Sequence, residues 1–455
     1  MRPARLSAVL SVCAGILVAI YFWKFTHVSL RTSFGDDDLM NLFFAWREPF
    51  LEIIKANLFI PTNVIRPFGA LFYATFYHLF GLDGLPFRVF CYAVLWCNVL
   101  LTYVFVRRLT GSREIGLIAV LLHCYQANYF PMYYGSGYCF DVFAFFFYYA
   151  AFILALYRKG YVAIAILFAC AVNSKEAAAS LPAILLIYEL LYNPPKSIAW
   201  IWREARAVLI TGCIGALFLW ARFTGPNNLL SHPAYAPVFT LERYLLSTAN
   251  YLNELTSHEN LWSPQRAAIL LGAMALIAIA ARSRHLCFAW LLIVIGSTPI
   301  AFVQPRGVAA YYIPLVGYAI FFALILVRAR EFLVRTRAPI PKLIAQAILF
   351  ILIFTINWKY QQKNQRRFPG YWTNLEHINA TIADFRSHDE WFLKGSVVLI
   401  ASDPFPENEW ASTFIALLSR NDHSLVVHRQ GKTTPAQEYN KKIIYKNGKY
   451  EEIQP

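Results

Sequence analysis

Charge is what this sequence has least of. Only 15% of its 455 residues are Asp, Glu, Lys or Arg, while 58% are hydrophobic. Soluble globular domains carry about 25% charged residues, so an ordinary water-soluble fold is excluded. The eight cysteines, Cys13, Cys91, Cys97, Cys124, Cys139, Cys170, Cys213 and Cys287, all fall in or beside apolar runs. Neither a disulfide framework nor a zinc knuckle is signalled by that placement. There is no His-x-x-x-His pair, which leaves His78 and His123 as core or interface residues and not metal ligands. Internal repeats at solenoid spacing and low-complexity tracts are also absent. The apolar start lacks a small-residue cleavage site and is long, so it reads as a first retained span and not a secretory signal.

What the chain does have is a series of apolar runs, among them Leu6–Trp23, Pro86–Val106, Ala267–Ala281 and Leu286–Val303. About 20 residues at 1.5 Å each cross a hydrocarbon core of about 30 Å. Backbone amides in lipid must pair within their own segment, so these runs predict helices. The net charge of +15 resides in short turns between the runs and not along one face or arm. That pattern fixes membrane orientation and does not describe a nucleic-acid partner.

Placing the basic turns Arg2/Arg5, Arg107/Arg108/Arg113, Arg158/Lys159, Lys196/Arg203/Arg206, Arg282/Arg284 and Arg328/Arg330/Arg335/Arg337/Lys342 in the cytoplasm yields a consistent parity. The spans then fall near 7–26, 86–106, 114–130, 138–157, 161–173, 177–192, 207–222, 265–281, 285–303, 308–327 and 343–357. Phe68–Phe80 is set aside as an interfacial or re-entrant helix, because a crossing there would invert Arg107 and Arg108. Residues 27–85 form a first outer loop, and residues 223–264 a second. In the latter, Pro226, Pro233 and Pro237 precede a mixed segment at Leu241–Leu255. After Trp358 the chain turns polar, with strands expected at Ser396–Ala401 and Ser424–His428 and a helix at Glu407–Leu418. The expected fold is an all-α polytopic membrane protein of about eleven transmembrane helices, residues 1–357, with a small α/β domain over 358–455. Its N-terminus lies in the cytoplasm and its C-terminal domain outside.

Three adjacent carboxylates, Asp36, Asp37 and Asp38, follow the first span. They can cap the apolar run Leu39–Trp46. Three neighbouring acids also repel, which raises at least one pKa or recruits a cation, and either outcome suits a base or a metal ligand. Arg66, Lys175, Arg222 and Arg306 stand at outer ends of spans, where a basic side chain commonly snorkels to the interface. Lys175–Glu176 differs in joining two short apolar runs below the outer surface, where ionised groups are costly unless paired or used. Asp141 opens an aromatic-rich span and could equally cap it.

In order, five short motifs resemble those of the GT-C superfamily, specifically the protein O-mannosyltransferases and the transmembrane-and-TPR O-mannosyltransferases. They are Asp37–Asp38–Leu39; Arg66–Pro67–Phe68 with Phe80–Gly81; Gly137–Tyr138–Cys139–Phe140–Asp141; Lys175–Glu176 with Leu181–Pro182; and Tyr311–Tyr312–Ile313–Pro314–Leu315–Val316–Gly317–Tyr318. Cys139 stands where those families have Arg. Ala309 stands where the last signature has Arg, with Arg306 the nearest substitute, and no TPR array follows.

The resemblance implies an inverting hexosyltransferase of the bacterial inner membrane. It would move a sugar, mannose or a related hexose, from a polyprenyl-phosphate donor to a hydroxyl of a protein, glycan or lipid acceptor at the outer face. Asp37 or Asp38 would be the catalytic base. Arg66, Asp141, Lys175, Glu176, Arg306 and Tyr312 would hold donor phosphate or substrate, and Asp36, Asp37, Asp38 and Asp141 are the candidates for any Mg or Mn ion. The aromatic content of 17% suits both interfacial belts and sugar stacking. A transporter or lipid flippase is the competing class, but it would show two related halves or matching Gly/Pro-broken helices. A non-catalytic scaffold displaying the C-terminal domain is a third.

Overall fold

The computed structural model describes residues 3–226, 236–336, 341–366, 370–431 and 438–453. Arg2, Pro233 and Arg337 lie outside the described residues. The membrane body opens with α1 (Pro3–Thr26), followed by the first outer loop with α2 (Asp36–Arg47), α3 (Phe50–Asn57) and α4 (Pro67–Phe80). Next come α5 (Gly84–Thr110), α6 (Arg113–His123), α7 (Phe130–Tyr134), α8 (Cys139–Leu156), α9 (Tyr161–Ser174), α10 (Leu181–Tyr192), α11 (Trp200–Arg203) and α12 (Arg206–Thr224). The second outer loop carries α13 (Leu241–Leu255). The body closes with α14 (Pro264–Ala280), α15 (Arg284–Gly296), α16 (Thr298–Ala301), α17 (Tyr312–Thr336) and α18 (Lys342–Gln365).

Among the described residues, seven helical stretches are long and apolar enough to cross a bilayer: those starting at Ala8, Gly84, Cys139, Arg206, Arg284, Val308 and Lys342. Large apolar side chains point outward along them, for example Val12, Ile16 and Ile20 on α1 and Ile344, Ile348, Ile351 and Leu352 on α18. Exposed patches of that size suit lipid and not water. Helices α8 and α17 form the centre. Where α17 crosses α15, a Cβ on Gly317 would sit 2.7 Å from Ile293 and 2.8 Å from the Ala289 carbonyl, so the absent side chain allows the close approach.

Three expected spans are corrected in form. The span expected over 114–130 stops at His123, after 11 residues, because Gln126, Asn128 and Pro131 break the apolar pattern. Residues 124–138 instead fold as loops around a 3-10 turn, Ala127–Tyr129, and the five-residue α7, and Tyr125, Tyr129, Tyr133 and Tyr134 pack inside. The other two are α9 and α10, of 14 and 12 residues, which are too short to cross a core of about 30 Å at 1.5 Å per residue. They meet at a short 3-10 turn, Glu176–Ser180, whose depth follows from that shortness.

Helix α18 runs to Gln365, past the expected limit at 357. Asn357, Gln361 and Gln365 bond Leu121, Gln126 and Tyr134 at 2.8, 2.7 and 2.8 Å through the side-chain amides of Gln361 and Gln365 and, for Asn357, to a carbonyl. Beyond it lie α19 (Gly370–Ser387), β1 (Val397–Ser402), α20 (Ala411–Arg420), β2 (Val426–Arg429), β3 (Lys441–Lys446) and β4 (Lys449–Ile453). The sheet order is β2-β1-β3-β4, parallel except for the β3–β4 hairpin. Asn447 and Gly448, both at positive φ, make the hairpin turn, as an Asn-Gly pair favours.

This domain docks on the first outer loop. Phe414 stacks on Phe43 with centroids 3.8 Å apart, and His423 stacks on Trp46 at 3.9 Å. Trp46 Nε1 donates to Asn421 Oδ1 at 2.7 Å, and the Tyr77 hydroxyl donates to the Leu418 carbonyl. The C-terminal domain therefore shares a side with α2 and its acidic start.

Candidate functional site

Helix α2 starts where it does because of Asp38. Gly35 is extended at φ −96°, and Asp38 reaches back to accept its amide at 2.8 Å, satisfying a donor that the helix cannot. Asp38 is only 1% exposed, and its other oxygen faces the Tyr73 hydroxyl at 3.1 Å. Burial raises its pKa, against the Gly35 amide, Ser136, Arg88 and Tyr73. The cap reading thus belongs to Asp38, which the fold turns inward, away from any cavity.

Asp37, one residue earlier, points the other way. It lines a cavity of about 380 Å³ together with Arg66, Asp141, Lys175, Glu176 and Arg306. Residues from four of the five motifs, with Arg306 from just before the fifth, thereby meet. Two of the acids are committed: Lys175 Nζ donates to Asp141 Oδ2 at 2.9 Å, and Arg66 Nη2 meets Glu176 Oε2 at 3.3 Å. Asp37 has neither hydrogen bond nor ion pair among the described residues. Burial raises its pKa, opposed by the charges of Lys175 and Arg66. For Glu176, burial pushes the same way, but Arg66, Arg222 and Lys175 together outweigh it and hold the carboxyl at about 2.

Local backbone choices place these groups. Arg66 takes the left-handed conformation, φ +53° and ψ +62°, immediately before Pro67. A branched-off arginine in that region costs about 1–3 kcal/mol, and such strain concentrates where a side chain must be aimed. Here it directs the guanidinium to Glu176. Gly137 is equally specific: a Cβ there would fall 2.6 Å from Asp37 Cβ and 3.2 Å from the Asp38 amide. Only glycine lets the start of α2 seat against this turn.

The opposite flank of the cavity is apolar, built by Phe218, Leu219 and Phe223 of α12 with Phe239, Ile300 and Phe302. Leu219, Phe223 and Phe239 are 44%, 46% and 76% exposed, so this flank continues onto the hydrophobic exterior. None of these residues was singled out by sequence, since apolar side chains at a span end carry no distinguishing signal. Arg88 did carry one. It is a lone charge two residues into an apolar run, fully buried, donating to the Tyr133 carbonyl at 2.7 Å.

Tyr312 is not brought to the cavity. It is 2% exposed and packs in one cluster with His123 and Phe145, with centroids 4.9 and 4.3 Å away, while its carbonyl meets His123 Nε2 at 3.3 Å. The core reading of His123 holds for the same reason. Among the described residues, no three His, Cys, Asp or Glu side chains converge to hold a metal. With Asp141 on Lys175 and Asp38 on Gly35 and Tyr73, the candidate ligands Asp36, Asp37, Asp38 and Asp141 do not assemble the oxygen set that Mg or Mn takes.

No family model matches the chain, and no curated protein matches it in sequence. Among solved structures, the chain is similar to the crystal structure of ArnT from Cupriavidus metallidurans in the apo state. The TM-score is 0.49 at 12% identity, covering 94% of this chain and 86% of that one. So distant a likeness assigns no chemistry. The class defined by the chain's own features is a multi-pass, all-α membrane protein that holds a charged cavity and carries a small α/β domain docked on its first outer loop.

Proposed function

We propose that the chain is an inverting glycosyltransferase that moves a sugar, mannose or a related hexose, from a polyprenyl-phosphate donor to an acceptor hydroxyl on the non-cytoplasmic face. One observation carries the reading: an uncommitted carboxylate, Asp37, shares a cavity with Arg66, Lys175 and Arg306, and that cavity opens along an apolar flank. A lipid-borne phosphosugar needs each of these parts. The flank accommodates the start of the polyprenyl chain, the cations face the phosphate, and the carboxylate faces the acceptor. The motif resemblance to the O-mannosyltransferases supports the same assignment.

The acceptor oxygen attacks the anomeric carbon from the side opposite the phosphate. A bond forms between that oxygen and carbon, and the carbon–oxygen bond to phosphate breaks. The acceptor proton passes to Asp37, the electron pair leaves with the polyprenyl phosphate, and the anomeric configuration inverts. Charge accumulates on the departing phosphate, where Arg66, Lys175 and Arg306 are placed to offset it. A carboxylate suffices as base because its proton transfer accompanies bond formation. No step runs through a metal ion. Outer-face chemistry is supported by the basic turns, since Arg107, Arg108 and Arg158 lie at the ends of α5 and α8 remote from the cavity. The acceptor class follows from none of these residues, although the docked C-terminal domain stands on the same side as Asp37.

The test is transfer from a radiolabelled polyprenyl-phosphate mannose in proteoliposomes holding membrane acceptors. The expected result is label leaving the donor with wild-type protein and a loss of about 10²-fold or more with Asp37→Asn at unchanged melting temperature. Equal turnover by both proteins rejects Asp37 as the base. No turnover, with labelled lipid moved across the bilayer instead, would make the chain a flippase.

A further inference from the structure

Helix α13 of the second outer loop contributes nothing to the cavity wall, yet one of its faces is bonded along the segment that does. Tyr244, Ser247, Tyr251 and Glu254 are spaced three, four and three residues apart, which aligns them on one side of a helix. The Tyr244 hydroxyl donates to the Val294 carbonyl at 2.9 Å, and Ser247 Oγ donates to the Val303 carbonyl at 3.3 Å. Tyr251 stacks on Tyr311 with ring centroids 4.7 Å apart. At the end of the row, Glu254 Oε2 accepts the Val308 amide at 2.8 Å.

Further bonds fix this same end of α13. Asn128 donates to the Glu254 carbonyl, and Tyr360 of α18 donates to that of Thr256. Asn250 holds the second carboxylate oxygen of Glu254 at 3.1 Å, which orients it toward Val308. Arg306 and Gly307, directly before the Val308 amide that Glu254 holds, line the cavity.

We propose that α13 is the positioning element for the donor-phosphate site, and that Glu254, by holding the Val308 amide, sets the backbone turn from which Arg306 reaches the phosphate. Glu254 is a positioning residue and touches no substrate. The inference rests on the donor assignment above. It also explains how an arginine displaced from the usual place in the Tyr-rich signature, now Ala309, can be held in register by a contact from another loop.

Two measurements on the full-length protein in detergent test it. In hydrogen exchange, Glu254→Ala should speed exchange of a peptide covering 303–311 by about tenfold or more, as expected for loss of one charged hydrogen bond, with the peptides of α8 and α17 unchanged. In titration with a polyprenyl phosphate, Arg306→Ala should weaken binding by about tenfold or more, and Glu254→Ala by a comparable factor. The double variant should be no weaker than Arg306→Ala, because both remove one interaction. Glu254→Gln, which keeps an acceptor oxygen for Val308, should restore binding to within about threefold of wild type. Additive losses, or unchanged exchange and affinity in Glu254→Ala, overturn the proposal while wild-type binding preserves the donor reading. A wild-type protein that ignores polyprenyl phosphate overturns both.

Discussion

Gly137 and Asp37 are in contact through a missing atom: the Cβ that Gly137 lacks would stand 2.6 Å from that of Asp37. The loop before α8 and the first turn of α2 are therefore interlocked, and the base sits where glycine permits. Gly137→Ala should displace Asp37 while leaving the bundle folded. Because a misplacement of about 1 Å costs on the order of 10²-fold in rate, turnover should fall by that order with a melting temperature close to wild type. Thermal unfolding and donor turnover on the same preparation check it.

The pH profile should report Asp37. Burial raises its pKa above the ordinary carboxylate value, so the acid limb of kcat/KM should lie higher than an exposed aspartate would give, with activity lost as pH falls through it. Lys175 works in the opposite direction. Lys175→Gln should accordingly move that limb to still higher pH, whatever it does to the maximum rate. A limb that moves down or stays would mean that another group titrates.

Glu176 makes a stability prediction. Its carboxyl is held at about 2 in the folded protein, below the ordinary 4.5. A depressed carboxylate contributes stability that is present above its unfolded value and lost as pH falls toward its folded one. Melting temperature should therefore drop between pH 4.5 and 2, and Glu176→Gln should flatten that part of the profile. The variant should also be less stable at neutral pH by about 3 kcal/mol, since Arg66 loses its partner in a partly buried pair. Equal pH dependence in both proteins would contradict the assignment.

The stacked pair Phe43–Phe414 joins the acidic helix to the C-terminal domain. Phe414→Ala removes a large side chain from that joint and should lower stability by about 3 kcal/mol. Assayed well below the lowered melting temperature, the variant should retain donor turnover, because Asp37 lies at the other end of α2.

Much of this architecture was legible in the residues, for reasons that also explain what was not. Apolar length located the helices long enough to cross, because it is a one-dimensional signal. Depth is not one-dimensional: whether α6 crosses depended on how Gln126 and Asn128 found partners in distant segments. The Asn447–Gly448 hairpin showed only in its turn residues, since its flanking strands, Lys441–Lys446 and Lys449–Ile453, lack clean apolar alternation. The meeting of Asp37, Arg66, Asp141, Lys175, Glu176 and Arg306 in one cavity was legible by type and order. Which of Asp37 and Asp38 faces the cavity was not, because adjacent helical positions differ only by rotation about the axis. Tyr312 shares a motif with the cavity-lining Ala309 and Ala310 but turns into the core, and α13 gave no signal because its polar row bonds backbone.

The most direct measurement is a structure of Asp37→Asn with a polyprenyl-phosphate sugar bound in lipid. The account predicts the phosphate among Arg66, Lys175 and Arg306, the first isoprene units against Phe223 and Phe239, and the anomeric carbon facing residue 37. A head group seated elsewhere, with this cavity empty of it, would contradict the central claim.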